Sequence, residues 1–381
     1  MNVKNNVLII TAPFESCGGS YPLIFNNLLY ILSNVVDEIH IISSNVPLKE
    51  GDTPYDVYDV PLFIPKSIVG KLLRRFFFEI LSSIKLLQIA FRVTGPVLIL
   101  SSEILLPTLI ARLLNKKTLL VAIASASNNF RMVHGTKKFW GFISNIISLN
   151  EKLNQKISSY VGTESPNVVN FLKLSINTDK IIPNEPLYLH NKLFRELVPF
   201  KKRDNIIGYV GRLSEEKGVC EFIHSLPLFC EKYGDFQILI VGDGSLSASV
   251  NDFIYSHHLE SKVIRMNWVD HSHLPELLNQ LKLLVLPSYT EGLPNILLES
   301  MACGTPVLGS PVGGIPDVIK NGFNGFILTG NTPDSIFNSL DNILSNFDLE
   351  PISKNAINTI NENYSQEKVI GLWADVLKKM S

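Results

Sequence analysis

Two acids eight residues apart, Glu291 and Glu299, sit in a segment that reads from strand through loop to helix: Val285-Leu-Pro-Ser-Tyr-Thr-Glu-Gly-Leu-Pro-Asn-Ile-Leu-Leu-Glu-Ser-Met-Ala-Cys-Gly-Thr-Pro306. An apolar run ends at Pro287, and a helix is expected from about Pro294. Proline suits the first helical position, where its missing N–H has no partner to lose. Gly304 stops the helix and Pro306 prevents its continuation. Asn295 and Glu299 are four apart and share a face, while Ile296, Leu297, Leu298 and Met301 lie mostly elsewhere and can pack on a sheet. A helix start entered through Gly292 offers free backbone N–H groups and the positive dipole end, which together bind anions. The dipole alone contributes only ~0.3–2 kcal/mol, so a diphosphate also needs cations. Carboxylates repel phosphate; Glu291 and Glu299 suit hydroxyl groups, such as those at the two ends of a nucleotide-sugar diphosphate. Read without a ligand, the same segment is a capped helix with two solvated acids.

The cations are found in Gly208-Tyr-Val-Gly-Arg-Leu-Ser-Glu-Glu-Lys-Gly218, where Arg212 and Lys217 follow a strand that runs out near Gly211. Each charge-assisted hydrogen bond to a phosphate contributes roughly 1.5–3 kcal/mol. A solvated loop accounts for the two charges equally well, and the pattern of a P-loop is absent. Gly242 and Gly244, in Val241-Gly-Asp-Gly-Ser-Leu-Ser247, form half of a dinucleotide fingerprint, with Ser247 where a third glycine would stand. This reads as a tight turn lining a cleft, and the incomplete fingerprint disfavours a nicotinamide dehydrogenase. Gly18 and Gly19 follow the first strand and either let the backbone approach a ligand from the opposite wall or form a plain strand–helix turn.

Positioning these groups requires strands that end beside one another, and the chain supplies two sets. Its 381 residues, 46% hydrophobic, suit two domains. In the first half, Val7–Thr11, Glu38–Ser43, Val97–Leu100 and Thr118–Ile123 read as buried strands, with a helix over Leu23–Leu32. In the second, Ile206–Val210, Gln237–Val241, Val263–Met266, Leu283–Leu286 and Pro306–Leu308 repeat the scheme. Alternating strands and helices imply parallel sheets, whose ligands lie at the carboxyl ends of the strands. The polar passage Pro183 to Asp204, with Lys201-Lys202-Arg203, suits a linker. The expected domains are residues 1–190 and 203–362. Residues 1–199 carry 20 basic against 14 acidic side chains and the remainder 14 against 21, so the halves suit different partners.

Several classes are disfavoured. The net charge of −1 and the lack of a binding motif speak against nucleic acid. No stretch of ~18 apolar residues lacks a charge or a breaker, and the N-terminus reads as a strand and not as a signal peptide. Cys17, Cys220, Cys230 and Cys303 have no metal-ligand spacing and suit reduced thiols of a cytosolic protein. His257-His258 and His271-x-His273 read as solvated surface. No metal and no cofactor are expected.

Taken together, these segments resemble glycosyltransferase family 4, most specifically over Gly208–Gly330, where GYVGRLSEEKG, VGDG, LPSYTEGLPNILLESMACGTPVLGSPVGGIPDVI and NGFNGFIL occur in the family's order. The resemblance implies a GT-B fold, two facing Rossmann-like α/β domains with a cleft between them, and a helix over residues 363–381 crossing back to the first. It implies retaining transfer of a hexose-type sugar from a UDP- or GDP-sugar to a glycan or lipid-linked acceptor, in surface polysaccharide or glycoconjugate synthesis. Arg212 and Lys217 would match the basic pair on the donor diphosphate, Glu299 the acid on the ribose, and Glu291 the acid facing the sugar. Gly292, Leu293, Asn295 and Ile296 would line the sugar and phosphate through backbone amides, with Pro294 shaping the turn. Gly18, Gly19, Gly211 and Gly242 would approach the donor. The family's histidine after the strand at Thr118–Ile123 is missing. His134, or a polar residue among Ser125, Ser127 and Asn128, is the candidate for its role. A nucleotide-sugar epimerase and a non-catalytic nucleotide-sugar-binding subunit are the alternatives. The Glu291-Gly-Leu-Pro arrangement and the basic first half favour transfer over epimerisation, and the missing histidine is what speaks for the subunit.

Phe63 to Val93 carries Lys66, Lys71, Arg74, Arg75, Lys85 and Arg92 against Glu79 alone, interleaved with Phe76, Phe77, Phe78 and Phe91. It is expected to lie in a membrane interface with its basic face, Arg74 and Arg75 included, on anionic lipid, which would place the protein peripherally on the cytoplasmic face. The bland alternative is a core helix with a solvated basic face.

Overall fold

A computed structural model describes residues 5–13, 20–46, 55–65, 67–122, 127, 130, 138–163, 169, 178–183 and 193–381. The chain divides into two compact units, Met1–Leu187 with Val369–Ser381, and Tyr188–Lys368.

The strands of the first unit are β1 (Asn6–Ile10), β2 (Glu38–Ser43), β3 (Tyr55–Asp59), β4 (Val97–Ile99), β5 (Thr118–Ala122), β6 (Tyr160–Thr163) and β7 (Ile181–Pro183). All pair in parallel, in the order β3-β2-β1-β4-β5-β6-β7. β1 and β4 are buried along their whole lengths, as the unbroken runs of Val, Leu and Ile require of strands covered on both faces. Three strands were not foreseen. β3, Tyr-Asp-Val-Tyr-Asp, is a partly exposed edge strand, and β6 and β7 are only four and three residues long.

The helices named for this unit are α1 (Ser20–Ser33), α2 (Ile68–Ile89), α3 (Leu106–Leu113) and α4 (Lys138–Ile157). Ser67 caps α2, its hydroxyl accepting from the Gly70 N–H at 3.0 Å. The inner stripe of α2 is Arg74, Phe78, Ser82, Leu86 and Ile89, all buried. Arg74 falls on that stripe by helical spacing and is only 5% exposed. Arg75 pairs with Glu103, and burial pushes its guanidinium down to about 10. The expected outward basic face at Arg74 and Arg75 is therefore corrected: what α2 turns outward there is apolar, with Leu73, Phe76 and Phe77 exposed.

In the second unit six parallel strands, β8 (Ile206–Val210), β9 (Gln237–Val241), β10 (Val263–Met266), β11 (Leu283–Leu286), β12 (Val307–Gly309) and β13 (Phe326–Ile327), run in the order β10-β9-β8-β11-β12-β13. The helices are α5 (Val219–Lys232), α6 (Ser247–Ser256), α7 (Leu274–Leu278), α8 (Asn295–Ala302), α9 (Ile315–Val318), α10 (Pro333–Asn346) and α11 (Leu349–Asn363). From β8 the chain proceeds outward to β9 and β10, then returns to β11 on the other side of β8. The loops after β8 and β11 thus diverge at a topological switch point, where open parallel sheets bind ligands. The last helix, α12 (Gln366–Met380), belongs to the first unit from Val369 onward.

The described end of the expected linker packs into the second unit. Arg203, 5% exposed, donates to the carbonyl oxygens of Cys303 (2.6 Å), Leu281 (3.1 Å) and Gly304 (3.2 Å) and to the Thr305 hydroxyl (2.7 Å). Burial pushes this guanidinium down to about 10.

Candidate functional site

Close packing of four loops builds the site. The loop after β8 meets the loop after β9 at Gly211 and Gly242: a Cβ on Gly242, whose φ is +140°, would stand 1.8 Å from the Gly211 carbonyl oxygen. Leu213 and Asp243 continue this contact, with the Leu213 N–H donating to the Asp243 carbonyl at 3.0 Å. Gly218 closes the same loop onto the segment after β11. Its φ is +65°, and a Cβ there would lie 2.0 Å from the Pro287 carbonyl oxygen. On the far side, Gly313 at φ +57° lets the loop after β12 touch the carbonyl oxygens of Glu291 and Gly292, and the Gly314 N–H donates to Gly292 at 2.7 Å. Glycine is needed at 218 and 313 because side chains there would carry both strain and collision.

This packing sets the charged groups. Lys217, just before Gly218, arrives over the 287–291 loop, where its ammonium donates to both Glu291 carboxylate oxygens at 2.7 and 2.8 Å. Ser288 adds a hydroxyl donor to Glu291 Oε1 at 2.7 Å. Asn331 pins that loop by donating to the carbonyls of Pro287 and Ser288. Arg212 is different. Its side chain is 67% exposed, and among the described residues its ion-pair partner is Glu216, at 3.6 Å. Burial opposes ionisation of Glu216, but the Ser214 hydroxyl at 2.6 Å and the neighbouring cations Arg212 and Lys217 outweigh it and hold that carboxyl below its usual value.

α8 begins at Asn295, with Pro294 as its cap residue at φ −71° and ψ 126°. The proline thus stands one position before the first helical turn, in the extended conformation it prefers. Gly304 ends the helix at φ +74°. Leu297, Leu298 and Met301 are buried, while Gly292, Asn295 and Ile296 stay partly open and Leu293 and Pro294 are covered. Glu299 lies one turn inward from Asn295, is 6% exposed, and accepts from His271 Nε2 at 2.7 Å through Oε1. Its Oε2 has no protein partner among the described residues. The hydrogen bond to Glu299 raises the His271 pKa against the opposing effect of burial. His271 also lies against Phe194, ring centres 5.1 Å apart.

Expectation and structure can be set side by side. Arg212 and Lys217 both follow β8 and Glu291 and Glu299 both follow β11, so the two motifs meet. Lys217 and Glu291, assigned to phosphate and sugar, are one ion pair. His271, taken for solvated surface, is a partner of Glu299 and was missed; its spacing to His273 gives no sign of an acid 28 residues on. Gly242 and Gly211 pack on each other, and the Asp243 carboxylate caps the turn, accepting from the Gly244 N–H at 2.7 Å and from the Ser247 hydroxyl. Gly18, Gly19 and His134 lie outside the described residues, as do Ser125 and Asn128. Ser127 is buried and donates to Glu151 at 2.6 Å. Among the described residues, no three His, Cys, Asp or Glu side chains are grouped as metal ligands.

Over 186 residues the chain is 31% identical to an uncharacterized glycosyltransferase of Methanocaldococcus jannaschii, covering 49% of this chain and 47% of that protein. It is 28% identical over 214 residues to the UDP-Gal:alpha-D-GlcNAc-diphosphoundecaprenol alpha-1,3-galactosyltransferase of Escherichia coli, covering 52% and 54%. The matches thus span about half the length of these curated relatives. Among solved structures, Anabaena HepE in complex with UDP superposes with a TM-score of 0.73 at 16% identity, over 98% of this chain and 99% of that one. At that identity the likeness concerns the fold, which is GT-B: two parallel-sheet α/β units. The family described as glycosyl transferases group 1 matches residues 191–359. That stretch, somewhat under half of the chain, holds every charged residue of the site, and over it the chain is similar to the glycosyl transferases group 1 family.

Proposed function

We propose that the chain is a retaining glycosyltransferase of family 4 that moves a hexose-type sugar from a UDP- or GDP-sugar to a glycan or lipid-linked acceptor in surface polysaccharide or glycoconjugate synthesis. The observation that carries this reading is the Lys217–Glu291 ion pair, held between glycine-closed loops at the switch point of the second sheet. A cation and an acid so placed can serve adjoining phosphate and sugar groups. Arg212, extended and nearly unengaged, takes the diphosphate first. Its charge offsets the phosphates enough for Lys217 to divide its three donors between them and Glu291. Both cations then stabilise the diphosphate as it leaves. Backbone amides at the start of α8 add donors on the same side, and Glu299 Oε2 accepts from a ribose hydroxyl while His271 holds Oε1. No metal or cofactor enters the reading.

The Escherichia coli relative, named for UDP-Gal and a diphosphoundecaprenol acceptor, supports a uridine donor and a lipid-linked acceptor. Among the described residues no helix is long and apolar enough to cross a membrane; we place the chain on the cytoplasmic membrane face as a peripheral protein. Substituting Lys217→Ala or Glu299→Ala should lower kcat/KM for the donor by about 10–150-fold, matching ~1.5–3 kcal/mol per charged hydrogen bond lost. Steady-state kinetics with a UDP- and GDP-sugar panel measures this, and unchanged donor kinetics in both variants rejects the assignment.

A further inference from the structure

We infer that the outer face of α2, α3 and α4 docks on an anionic lipid bilayer through apolar side chains, with lysines and an arginine at its margin. α2 exposes Val69, Leu73, Phe76, Ile84 and Leu87, spaced to fall on one side of a helix. α4 exposes Phe142, Ile146, Leu149 and Leu153 in the same way, and α3 exposes Leu106, Leu109 and Leu113. These are one surface and not three separate stripes: Phe76, Leu106 and Ile146, one from each helix, line a single cavity of about 390 Å³. Soluble monomers rarely leave an apolar patch of this breadth in water.

The charges identify the partner. The acids on and beside these helices are engaged within the unit. Glu79 accepts from the Leu105 and Leu106 N–H groups, Glu151 from the hydroxyls of Ser102 and Ser127, and Glu103 pairs with Arg75. The exposed charged side chains described on the three helices are all basic; Lys71 falls on the inner side of α2 by helical spacing, and Arg112, Lys152 and Lys156 flank the apolar stripes of α3 and α4. An apolar face edged by cations complements anionic lipid, with apolar groups entering the interface and lysines meeting phosphates. It is a poor match for itself: a symmetric dimer sets the same patch on both subunits and would bring these cations together. The inference rests on the peripheral-membrane reading above for location and on nothing in the donor site.

Flotation of the full-length protein with phosphatidylcholine vesicles, with and without phosphatidylglycerol, tests it. Wild type should float with the anionic vesicles at low salt and far less with the neutral ones. Phe76→Glu, Ile146→Glu and Leu149→Glu together should abolish flotation while the melting transition of the first unit, the one that added UDP does not shift, stays at its wild-type position, showing an intact fold. Lys152→Glu with Lys156→Glu should lower the bound fraction on the order of tenfold or more. Wild type failing to float with anionic vesicles, or the triple variant floating like wild type, overturns the proposal; so does a wild-type dimer that the triple variant converts to monomer without any flotation. Flotation is scored without donor, so its failure and the failure of the donor assignments are read separately.

Discussion

Glu299 and His271 share a 2.7 Å hydrogen bond that raises the imidazole pKa above its usual value of about 6.5. A group whose pKa is raised by folding stabilises the fold fully below its unfolded value, and that contribution is lost as pH rises through the folded value. The second unit should therefore lose part of its thermal stability between pH about 6.5 and the raised His271 pKa, and His271→Gln should flatten the curve there. Thermal melts of wild type and variant across that window measure the difference; parallel curves would remove the pair from the account. Removing the His271 charge should also weaken nucleotide binding less than Glu299→Ala, because the variant keeps the carboxylate. At this scale the acids and cations of the site were legible, since Arg212, Lys217 and Glu291 stand in loops punctuated by Gly or Pro and Glu299 lies one turn into the helix that Pro294 opens. The pairings were not. Lys217 meets Glu291 across 74 residues of chain and His271 meets Glu299 across 28, and side-chain partners that far apart follow from sheet order, which no local pattern encodes.

Among the elements, α8 depends on a residue outside it. The turn that ends it at Gly304 frees carbonyls that need donors, and Arg203, from the passage before β8, satisfies that of Cys303 and shares that of Gly304 with the Ser353 hydroxyl. Read along the chain, Lys201-Lys202-Arg203 is a solvated basic run, and two of the three do face water. The third is turned inward by the short helical turn over Phe200–Lys202, whose Phe200 is itself buried. Replacing Arg203 with Met keeps most of the volume but leaves the Cys303 carbonyl unpaired, while Gly304 keeps the Ser353 hydroxyl and Leu281 keeps only the Thr305 hydroxyl at 3.5 Å. With one buried carbonyl unpaired, the second unit should lose about 1–3 kcal/mol and its Tm should fall by roughly 2–12 °C. Because α8 carries Glu299, donor affinity should fall with it. Calorimetry together with nucleotide titration checks both effects, and an unchanged Tm would show the carbonyl satisfied by other means.

The whole molecule was most legible where strands are covered on both faces. β1, β4, β8 and β11 are unbroken apolar runs, so their positions and the two-sheet organisation can be read from sequence, whereas the edge strand β3 is partly exposed and the edge strand β13 is only two residues long. The C-terminal helix α12 has apolar residues at helical spacing, and the structure joins it to the first unit although its sequence neighbours belong to the second. Val369, Trp373, Leu377 and Met380 form its buried face, and Trp373 is fully covered. At the end of the helix, the Lys117 ammonium donates to the Ser381 carbonyl oxygen at 3.1 Å. Large-to-small changes at such a position leave a cavity as well as losing transfer energy, ~3–5 kcal/mol for Trp→Ala. Trp373→Ala should therefore lower the melting transition of the first unit by roughly 6–20 °C. The second unit holds the residues proposed for the nucleotide and Trp373 belongs to the first, so the second unit's transition, identified by its upward shift with added UDP, should hold its wild-type position. Calorimetry with and without UDP separates the two. A fall in the UDP-sensitive transition equal to that of the other would show that α12 secures both units, and that the chain unfolds as one body.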